Sequence, residues 1–507
     1  MGREEGREGM GSRVVRNIFS SWGRYGVITA IRLFLTPLFI HKLGDTEYGV
    51  WILILSVIGY MELFNLGLNT ANVRYLARYF EQKDDRAANE IFNCGLFIFT
   101  VLGGAVVIAT LIVSVFVWEI FGFVGGSVRY KLVFMIAGVS LGLEFIYYAF
   151  STVLSARQRY VEANIILTCV FIVRSCAAVA LLLSGFGLVG VVINQAVFNV
   201  VKGIIMSVCA LRSTRSLRVD SHYISQKGIQ TILNFSWYIF LINVCRKISV
   251  YGGVVIIGLV MSPSSITYFA VANNLVRYLQ DFIAAIPNVL IPRFSQLHAA
   301  NRDDKILEYY LSFTRITLMI SIPIVCVFVL YGSRLIALWI GEGYGVRAGP
   351  ILGVLSVGAL CQLSQSTAHS VLKATGRHKE LSYFVILESV AIVVLSWLMV
   401  RRYGLIGLAW GQAISMAFFN LSIVPIYACV KLKMDIVEYY GRYMLSNAVG
   451  VVPLLVVYYL VGSSGIESVA VFGILIAGMV VAFVGFSYVF GLGMKEREML
   501  ASVVRLR

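Results

Sequence analysis

Charged side chains lie inside apolar, helix-length stretches of this chain, where an uncompensated charge is costly. The basic residues in these stretches are Arg32, Arg174, Lys202, Arg246, Lys247 and Arg277, and the acidic ones are Glu62, Glu144 and Asp281. A charge at the centre of a bilayer costs roughly 2.5–3.5 kcal/mol on insertion scales, so such residues face a water-filled cavity or a partner. The cations outnumber the acids, and this surplus indicates that an anionic ligand binds within the membrane.

Several of these charges have a second interpretation. Arg277 and Asp281 have the spacing that places two residues on one helix face, so they could neutralise each other. Lys202 could extend to the membrane surface, and only one of the neighbours Arg246 and Lys247 can point squarely into a cavity. The predicted substrate-binding cavity residues are Arg32, Arg174, Arg246, Lys247 and Arg277, and the predicted ion-coupling or counter-charge residues are Glu62, Glu144 and Asp281.

Other polar residues are interpreted as structural. Arg315 and Glu388 lie within a turn or two of predicted helix ends, and we interpret both as interfacial. The chain contains no Gly-x-x-x-x-Gly-Lys-Ser/Thr loop for nucleotide phosphates. Its five histidines and eight cysteines show neither a nucleophile–base set nor metal-ligand spacing. We therefore predict no catalytic residue, no metal and no cofactor.

The elements that position these charges are membrane-spanning helices. The chain is 59% hydrophobic and only 13% charged, and its mean hydropathy is +0.84. About fourteen apolar runs reach the roughly 20 residues that cross a bilayer as a helix. The net charge of +16 is concentrated in the loops that fall on the side of the N-terminus, as the positive-inside rule requires. This pattern predicts an all-α integral membrane protein with both termini cytoplasmic and argues against nucleic-acid binding.

Three pairs of matching segments indicate an internal duplication. They are RYLARYFEQKDDRA and RFSQLHAANRDDKI, from Arg74 and Arg293; GLVGVVINQA and GLIGLAWGQA, from Gly187 and Gly404; and TVLSARQR and SVLKATGR, from Thr152 and Ser370. The Asp-Asp pairs in the first two segments are interpreted as helix starts with Asp as the N-cap. Each copy contains six helices, an even number, so we predict two parallel repeats around a central cavity.

The repeats define the predicted domain organisation. It comprises a flexible cytoplasmic N-terminus (1–20), an N-lobe of helices 1–6 (21–210), a basic cytoplasmic linker (211–230), a C-lobe of helices 7–12 (231–430), two appended helices 13 and 14 (431–490) and a cytoplasmic tail (491–507).

The duplicated bundle, the two extra helices and the turn LGDTEYGVW from Leu43 resemble the polysaccharide branch of the multidrug/oligosaccharidyl-lipid/polysaccharide exporter superfamily. That branch contains the Wzx-type O-antigen and exopolysaccharide flippases. The resemblance implies that the chain moves an undecaprenyl-pyrophosphate-linked oligosaccharide across the bacterial inner membrane by alternating access. In the related lipid II flippases, cavity arginines on helices 1 and 8 serve the pyrophosphate, and Arg32 and Arg277 lie on those helices here.

Two other function classes stay open at this point. A multidrug-type antiporter would usually centre on acids without a surplus of buried arginine. A membrane enzyme acting on lipid-linked sugars, such as a polymerase or ligase, would need a large outer loop or an outward-facing acid/base pair. The expected partners are the lipid-linked oligosaccharide, membrane lipid, and a glycosyltransferase or polymerase. The sequence does not determine the glycan or a coupling ion.

Overall fold

A computed structural model of the chain describes residues 4–65, 67–121, 128–288, 290–444, 450–461 and 468–488. These residues are almost entirely helical and include no β-strand, because a helix satisfies its own backbone hydrogen bonds where lipid offers none. The α-helices are α1 (Glu4–Met61), α2 (Leu68–Gln82), α3 (Asp85–Ile120), α4 (Val128–Ala156), α5 (Tyr160–Leu183), α6 (Gly187–Ser213), α7 (Gln226–Val260), α8 (Pro263–Asn288), α9 (Ile291–Ala299), α10 (Asp303–Trp339), α11 (Glu342–Ser364), α12 (Ser366–Ala374), α13 (His378–Phe418), α14 (Val424–Leu432), α15 (Ile436–Glu438), α16 (Val451–Val461) and α17 (Val469–Phe486). Short 3₁₀ turns occupy Glu62–Asn65 and Ser221–Tyr223, and π-helical turns occupy Phe419–Ile423 and Tyr439–Met444.

The prediction of an all-α membrane protein is confirmed. Eight helical segments of the described residues are long and apolar enough to cross a membrane. Two of them, Gly23–Asn65 and Lys379–Leu432, contain 43 and 54 residues, about twice the roughly 20 that one crossing needs. Each is kinked at a glycine with positive φ, Gly44 (76°) and Gly404 (62°). When these two segments are counted as two crossings each, the eight become ten, and three shorter apolar helices raise the number among the described residues to thirteen, in agreement with about fourteen crossings.

The chain forms two compact units, the first ending at Thr267 and the second beginning at Tyr268. In the first unit, α3 packs on α4, α4 on α6, and α1 on α5; α7 packs on α1, α2 and α3. In the second unit, α10 packs on α11, α11 on α13, and α16 and α17 on α10. The predicted lobes at 21–210 and 231–430 describe sequence repeats rather than packing units, and they stay a prediction.

The matched segments adopt the same local backbone in both halves. Gln158 and Gly376, at the same place in TVLSARQR and SVLKATGR, both take a left-handed conformation, with φ of 58° and 76°. The next residues, Arg159 and Arg377, are the N-caps of α5 and α13. Because a positive φ is uncommon for a residue such as glutamine, this shared turn supports the duplication.

The Asp-Asp loops begin helices as predicted, but with different caps. Asp84 Oδ1 accepts a hydrogen bond from the backbone N–H of Ala87 at 3.0 Å, as an N-cap does. In the second loop the N-cap position belongs to Arg302, whose side chain makes no capping bond, and Asp303 is already in the first turn of α10. The N-cap prediction is therefore correct for the first loop and wrong for the second, where the carboxylates instead face the positive end of the helix dipole.

The segment that joins α6 to α7 is held against α3 by two asparagines. Asn89 donates to the Ser216 carbonyl at 2.9 Å and accepts from the Arg218 N–H at 2.7 Å. Asn93, one helical turn on, donates to the Arg218 carbonyl at 2.8 Å and accepts from the Asp220 N–H at 3.0 Å. The two amides thus bind alternate residues of an extended segment, as a neighbouring strand would. The predicted basic linker is fixed to the first unit by these bonds.

Candidate functional site

Two arginines of the first unit share one aromatic ring. Phe171 and Arg174 lie on the same face of α5 because of their i,i+3 spacing, and α5 packs on α1, which carries Arg32. The guanidinium carbon of Arg174 lies 5.1 Å from the centroid of the Phe171 ring, and that of Arg32 lies 5.8 Å from it. Both distances are within the range of cation–π attraction. We call Arg32, Phe171 and Arg174 the arginine cluster.

The arginine cluster has no carboxylate partner among the described residues. Neither guanidinium lies within 4.0 Å of an Asp or Glu oxygen in that part of the chain. Arg32 is exposed at the surface of the unit and Arg174 is half-buried, and the two like charges interact electrostatically. Two cations held together without an acid in contact with either form a site for an anion, because an added negative charge relieves their repulsion.

Two other cations on the membrane helices of the first unit, Lys202 and Lys247, form ion pairs. Lys202 on α6 pairs with Glu144 on α4 at 2.6 Å, and the two side chains are 22% and 20% exposed. Lys247 on α7 pairs with Glu62 in the turn after α1. Lys202 therefore has an acid partner within the unit. Glu62 and Glu144 each contact a lysine, and their role as ion-coupling or counter-charge residues stays a prediction.

Tyrosines connect the two ion pairs. The Tyr148 phenol interacts electrostatically with both Glu144 and Glu62, so the pairs belong to one polar region. The Lys247 ammonium lies 5.1 Å from the centroid of the Tyr251 ring, and Tyr251 packs edge-on against Tyr60 at 5.8 Å. Glu144 also interacts with Arg174, which joins this region to the arginine cluster.

The other predicted cavity residues are placed as follows. Arg246 lies on α7, and its side chain is outside the part of the chain that the structure describes. Arg277 and Asp281 lie on α8 in the second unit, Arg277 half-buried and Asp281 exposed, and each makes interactions there. Their i,i+4 spacing on one continuous helix places both on the same face, as predicted.

Sequence reasoning missed a row of asparagines beside Glu62. Asn69 and Asn72 lie on one face of α2 because of their i,i+3 spacing, and Asn65 is the last residue of the 3₁₀ turn that begins at Glu62. The Asn65 and Asn69 carbonyl oxygens and both amide atoms of Asn72 are buried without a hydrogen-bond partner among the described residues. Such atoms are rare in folded proteins. The signal that could have identified them is the recurrence of Asn in NLGLNTANVR.

Arg315 and Glu388 do not lie near helix ends, because α10 begins at Asp303 and α13 at His378, and their interfacial position stays a prediction. Both are buried in the second unit, each with 6% of its surface exposed. Glu388 on α13 accepts a hydrogen bond from the amide of Asn420 at 2.8 Å. Asn420 lies in the π-helical turn that follows this helix. Both charged side chains therefore lie inside the packed unit and not on its surface.

Among the described residues, no group of three or more His, Cys, Asp and Glu side chains could hold a metal ion. The arrangement of the first unit is instead a set of fixed charges and aromatic rings on membrane helices. It can bind and orient an anion through charge-assisted hydrogen bonds.

The fold is that of a class of transporters and flippases. The structure of the lipid II flippase MurJ in an inward closed conformation matches with a TM-score of 0.74 and 14% identity, covering 94% of this chain and 98% of that one. An inward-facing multidrug resistance MATE family transporter of the MOP superfamily matches with a TM-score of 0.67 and 15% identity, covering 81% and 94%. At this identity the likeness shows the fold alone.

Sequence comparison defines the family. A Shigella flexneri protein whose name gives O-antigen transport as its proposed role is 20% identical over 426 residues, covering 82% of this chain and 97% of that protein. The profile of the family described as polysaccharide biosynthesis protein matches residues 14–298. The chain belongs to this family, as the resemblance of its repeats predicted.

Proposed function

We propose that this multi-pass membrane protein is a flippase for an undecaprenyl-pyrophosphate-linked oligosaccharide, an O-antigen, capsule or exopolysaccharide repeat unit. We place it in the bacterial inner membrane with both termini cytoplasmic. The observation that carries the proposal is the arginine cluster. Its two arginines have no carboxylate within 4.0 Å among the described residues, whereas Lys202 and Lys247 are each paired with a glutamate. A pyrophosphate diester supplies the missing negative charge, and guanidinium groups bind phosphate oxygens through two parallel hydrogen bonds.

The polar residues around the cluster suit the rest of such a substrate. The tyrosines offer rings and hydroxyl groups to sugars, and outward-facing apolar side chains such as Phe34, which is 83% exposed on α1, suit a polyprenyl tail. In this mechanism the arginine cluster opens in turn to each side of the membrane, and the substrate stabilises each state only through its differential affinity. Arg246, Lys247 and Arg277 are proposed as further cationic contacts. A glycosyltransferase or polymerase is the proposed protein partner.

Charge distinguishes this proposal from the two alternatives. Arg32 and Arg174 disfavour a multidrug antiporter for cationic compounds, because both arginines would repel a positively charged compound bound beside them. Resistance to cationic drugs on expression would support that alternative. An enzyme acting on lipid-linked sugars would change the glycan covalently, whereas a flippase returns it unmodified on the other side.

Binding of undecaprenyl pyrophosphate to the purified protein in nanodiscs tests the proposal. Arg32→Gln and Arg174→Gln should each weaken binding by roughly 10- to 100-fold, since each removes charge-assisted hydrogen bonds. Arg→Lys at the same positions should restore part of the affinity, because the charge is kept and the fork geometry is lost.

The matched control is the double variant Glu144→Gln/Lys202→Gln. It removes one cation together with its own partner, so the net charge of the region is unchanged and binding should stay within a few-fold of the native value. Equal loss in the control and in the arginine variants would overturn the assignment of pyrophosphate to the arginine cluster.

A further inference from the structure

The second unit contains a small recess where several helix ends meet. The N-terminus of α10, the C-terminal ends of α9, α12 and α14 and the N-cap of α13 line it, and it is partly open to solvent. Ile306 and Val371, both buried in the core of the unit, form part of its floor. Arg377, Lys431 and Asp303 contribute to its rim. We call this recess the loop pocket.

The loop pocket lies at the level where membrane-spanning segments end. One candidate span begins at Asp303, another ends at Ala374, and a third ends at Leu432. The pocket therefore adjoins the ends of three apolar segments, and lipid headgroups lie just outside the roughly 30 Å hydrocarbon core that such segments cross. A ligand that reaches this position from the membrane would present a headgroup to the rim and a glycerol or acyl portion to the floor.

The rim of the pocket is positively charged. Two basic residues, Arg377 at the N-cap of α13 and Lys431 in the last turn of α14, line the pocket together with one acidic residue, Asp303. Basic pockets between membrane helices at the membrane surface are suited to the phosphates of anionic lipids.

The equivalent place in the first unit is filled by the chain itself. TVLSARQR and SVLKATGR place Arg157 where the second unit has Thr375. The Arg157 guanidinium carbon lies 4.0 Å from the centroid of the Phe80 ring, and its Nε donates to Thr214 Oγ1 at 3.3 Å. In the second unit the corresponding residue, Thr375, lines the loop pocket. Its side chain is shorter than that of Arg157 and leaves this space open.

We propose that the loop pocket binds an anionic phospholipid, with its phosphate on Arg377 and Lys431. The net positive rim selects a negatively charged headgroup over a zwitterionic one, since a choline or ethanolamine ammonium would meet the same cations. The apolar floor binds the glycerol end of the acyl chains, which distinguishes the lipid from free phosphate. The site belongs to the second unit alone and is separate from the arginine cluster.

Native mass spectrometry of the purified full-length protein, with phosphatidylglycerol added, tests the proposal. Thr375→Arg should reduce bound phosphatidylglycerol roughly tenfold by filling the pocket as Arg157 does in the first unit, although it adds a positive charge. Arg377→Gln/Lys431→Gln should reduce binding at least as much, because the contacts to phosphate are lost. The control Lys379→Gln/Lys433→Gln also removes two positive charges, but from nearby exposed residues, and should leave binding within twofold of the native value.

Three results would overturn the proposal. Undiminished binding by Thr375→Arg would mean that general attraction, rather than the pocket, holds the lipid. Equal loss in the Lys379/Lys433 control would mean the same. Displacement of phosphatidylglycerol by an equal concentration of inorganic phosphate, or equal binding of phosphatidylcholine, would remove the assignment to an anionic lipid. The melting temperature of each variant shows whether a loss of lipid reflects loss of fold.

Discussion

Removing one or the other partner of the Lys202–Glu144 ion pair should have opposite effects on substrate binding and unequal effects on stability. The pair is 2.6 Å long, with side chains 22% and 20% exposed. Breaking a fully buried pair costs about 3–5 kcal/mol, and breaking an exposed one costs about 0.2–1 kcal/mol. For a pair that is about one-fifth exposed we expect a loss of roughly 2 kcal/mol when a single partner is removed.

The two single substitutions differ because Glu144 has a second cation in its field. It interacts with Arg174 as well as with Lys202. Lys202→Gln therefore leaves a carboxylate that is still partly compensated, whereas Glu144→Gln leaves Lys202, Arg174 and Arg32 together without an acid. We expect Glu144→Gln to be the less stable variant by roughly 1 kcal/mol. The double variant should be more stable than Glu144→Gln, because no unpaired charge is left behind.

Binding should follow the charge and not the stability. Glu144→Gln raises the positive potential beside the arginine cluster, so undecaprenyl pyrophosphate should bind roughly 3- to 10-fold more tightly. Lys202→Gln lowers that potential and should weaken binding by a similar factor. The variant with the lower melting temperature is thus expected to have the higher affinity. A general structural defect would lower both quantities together.

The assay is thermal unfolding and ligand titration of the same preparations in nanodiscs. A loss of 2 kcal/mol corresponds to a decrease in melting temperature of roughly 4–8 °C for a unit of this size. The reasoning is refuted if both single variants change affinity in the same direction. It is also refuted if the double variant is as unstable as the two single variants combined, since the side chains would then contribute independently.

Two further predictions concern topology and the linker between α6 and α7. Topology reporters should indicate a cytoplasmic position when fused after Arg86, Arg218, Lys305 or Arg507, and an external position when fused after Arg129 or Arg347; opposite faces for Arg218 and Arg507 would contradict parallel six-helix repeats. Asn93→Ala should increase tryptic cleavage after Arg218 roughly tenfold, because it leaves two backbone groups of the linker unpaired. The control Asn199→Ala removes a hydrogen bond to Ser140 on another helix and should not change this cleavage. Equal cleavage in both variants would contradict the role of Asn93 in fixing the linker.

The helices, their number and their duplication are properties that the sequence determined by itself. Apolar runs of sufficient length must become helices in a bilayer, because no other local structure satisfies the backbone. The helix starts at Asp85 and Asp303 also follow from local sequence, since cap conformations depend on a few neighbouring residues. The surplus of positive charge was likewise visible without coordinates.

Only the tertiary structure decided which of those charges remain uncompensated. Lys202 and Glu144 are 58 positions apart in the chain, and Lys247 and Glu62 are 185 apart. Helical periodicity shows which residues share a face, but the rotation of each helix and the choice of its neighbour depend on packing over the whole unit. The same packing brought Arg32 and Arg174 close to the ring of Phe171 and buried Glu388. Because an ion pair requires two atoms within a few ångströms, its partners are fixed by tertiary contacts and not by spacing along the chain.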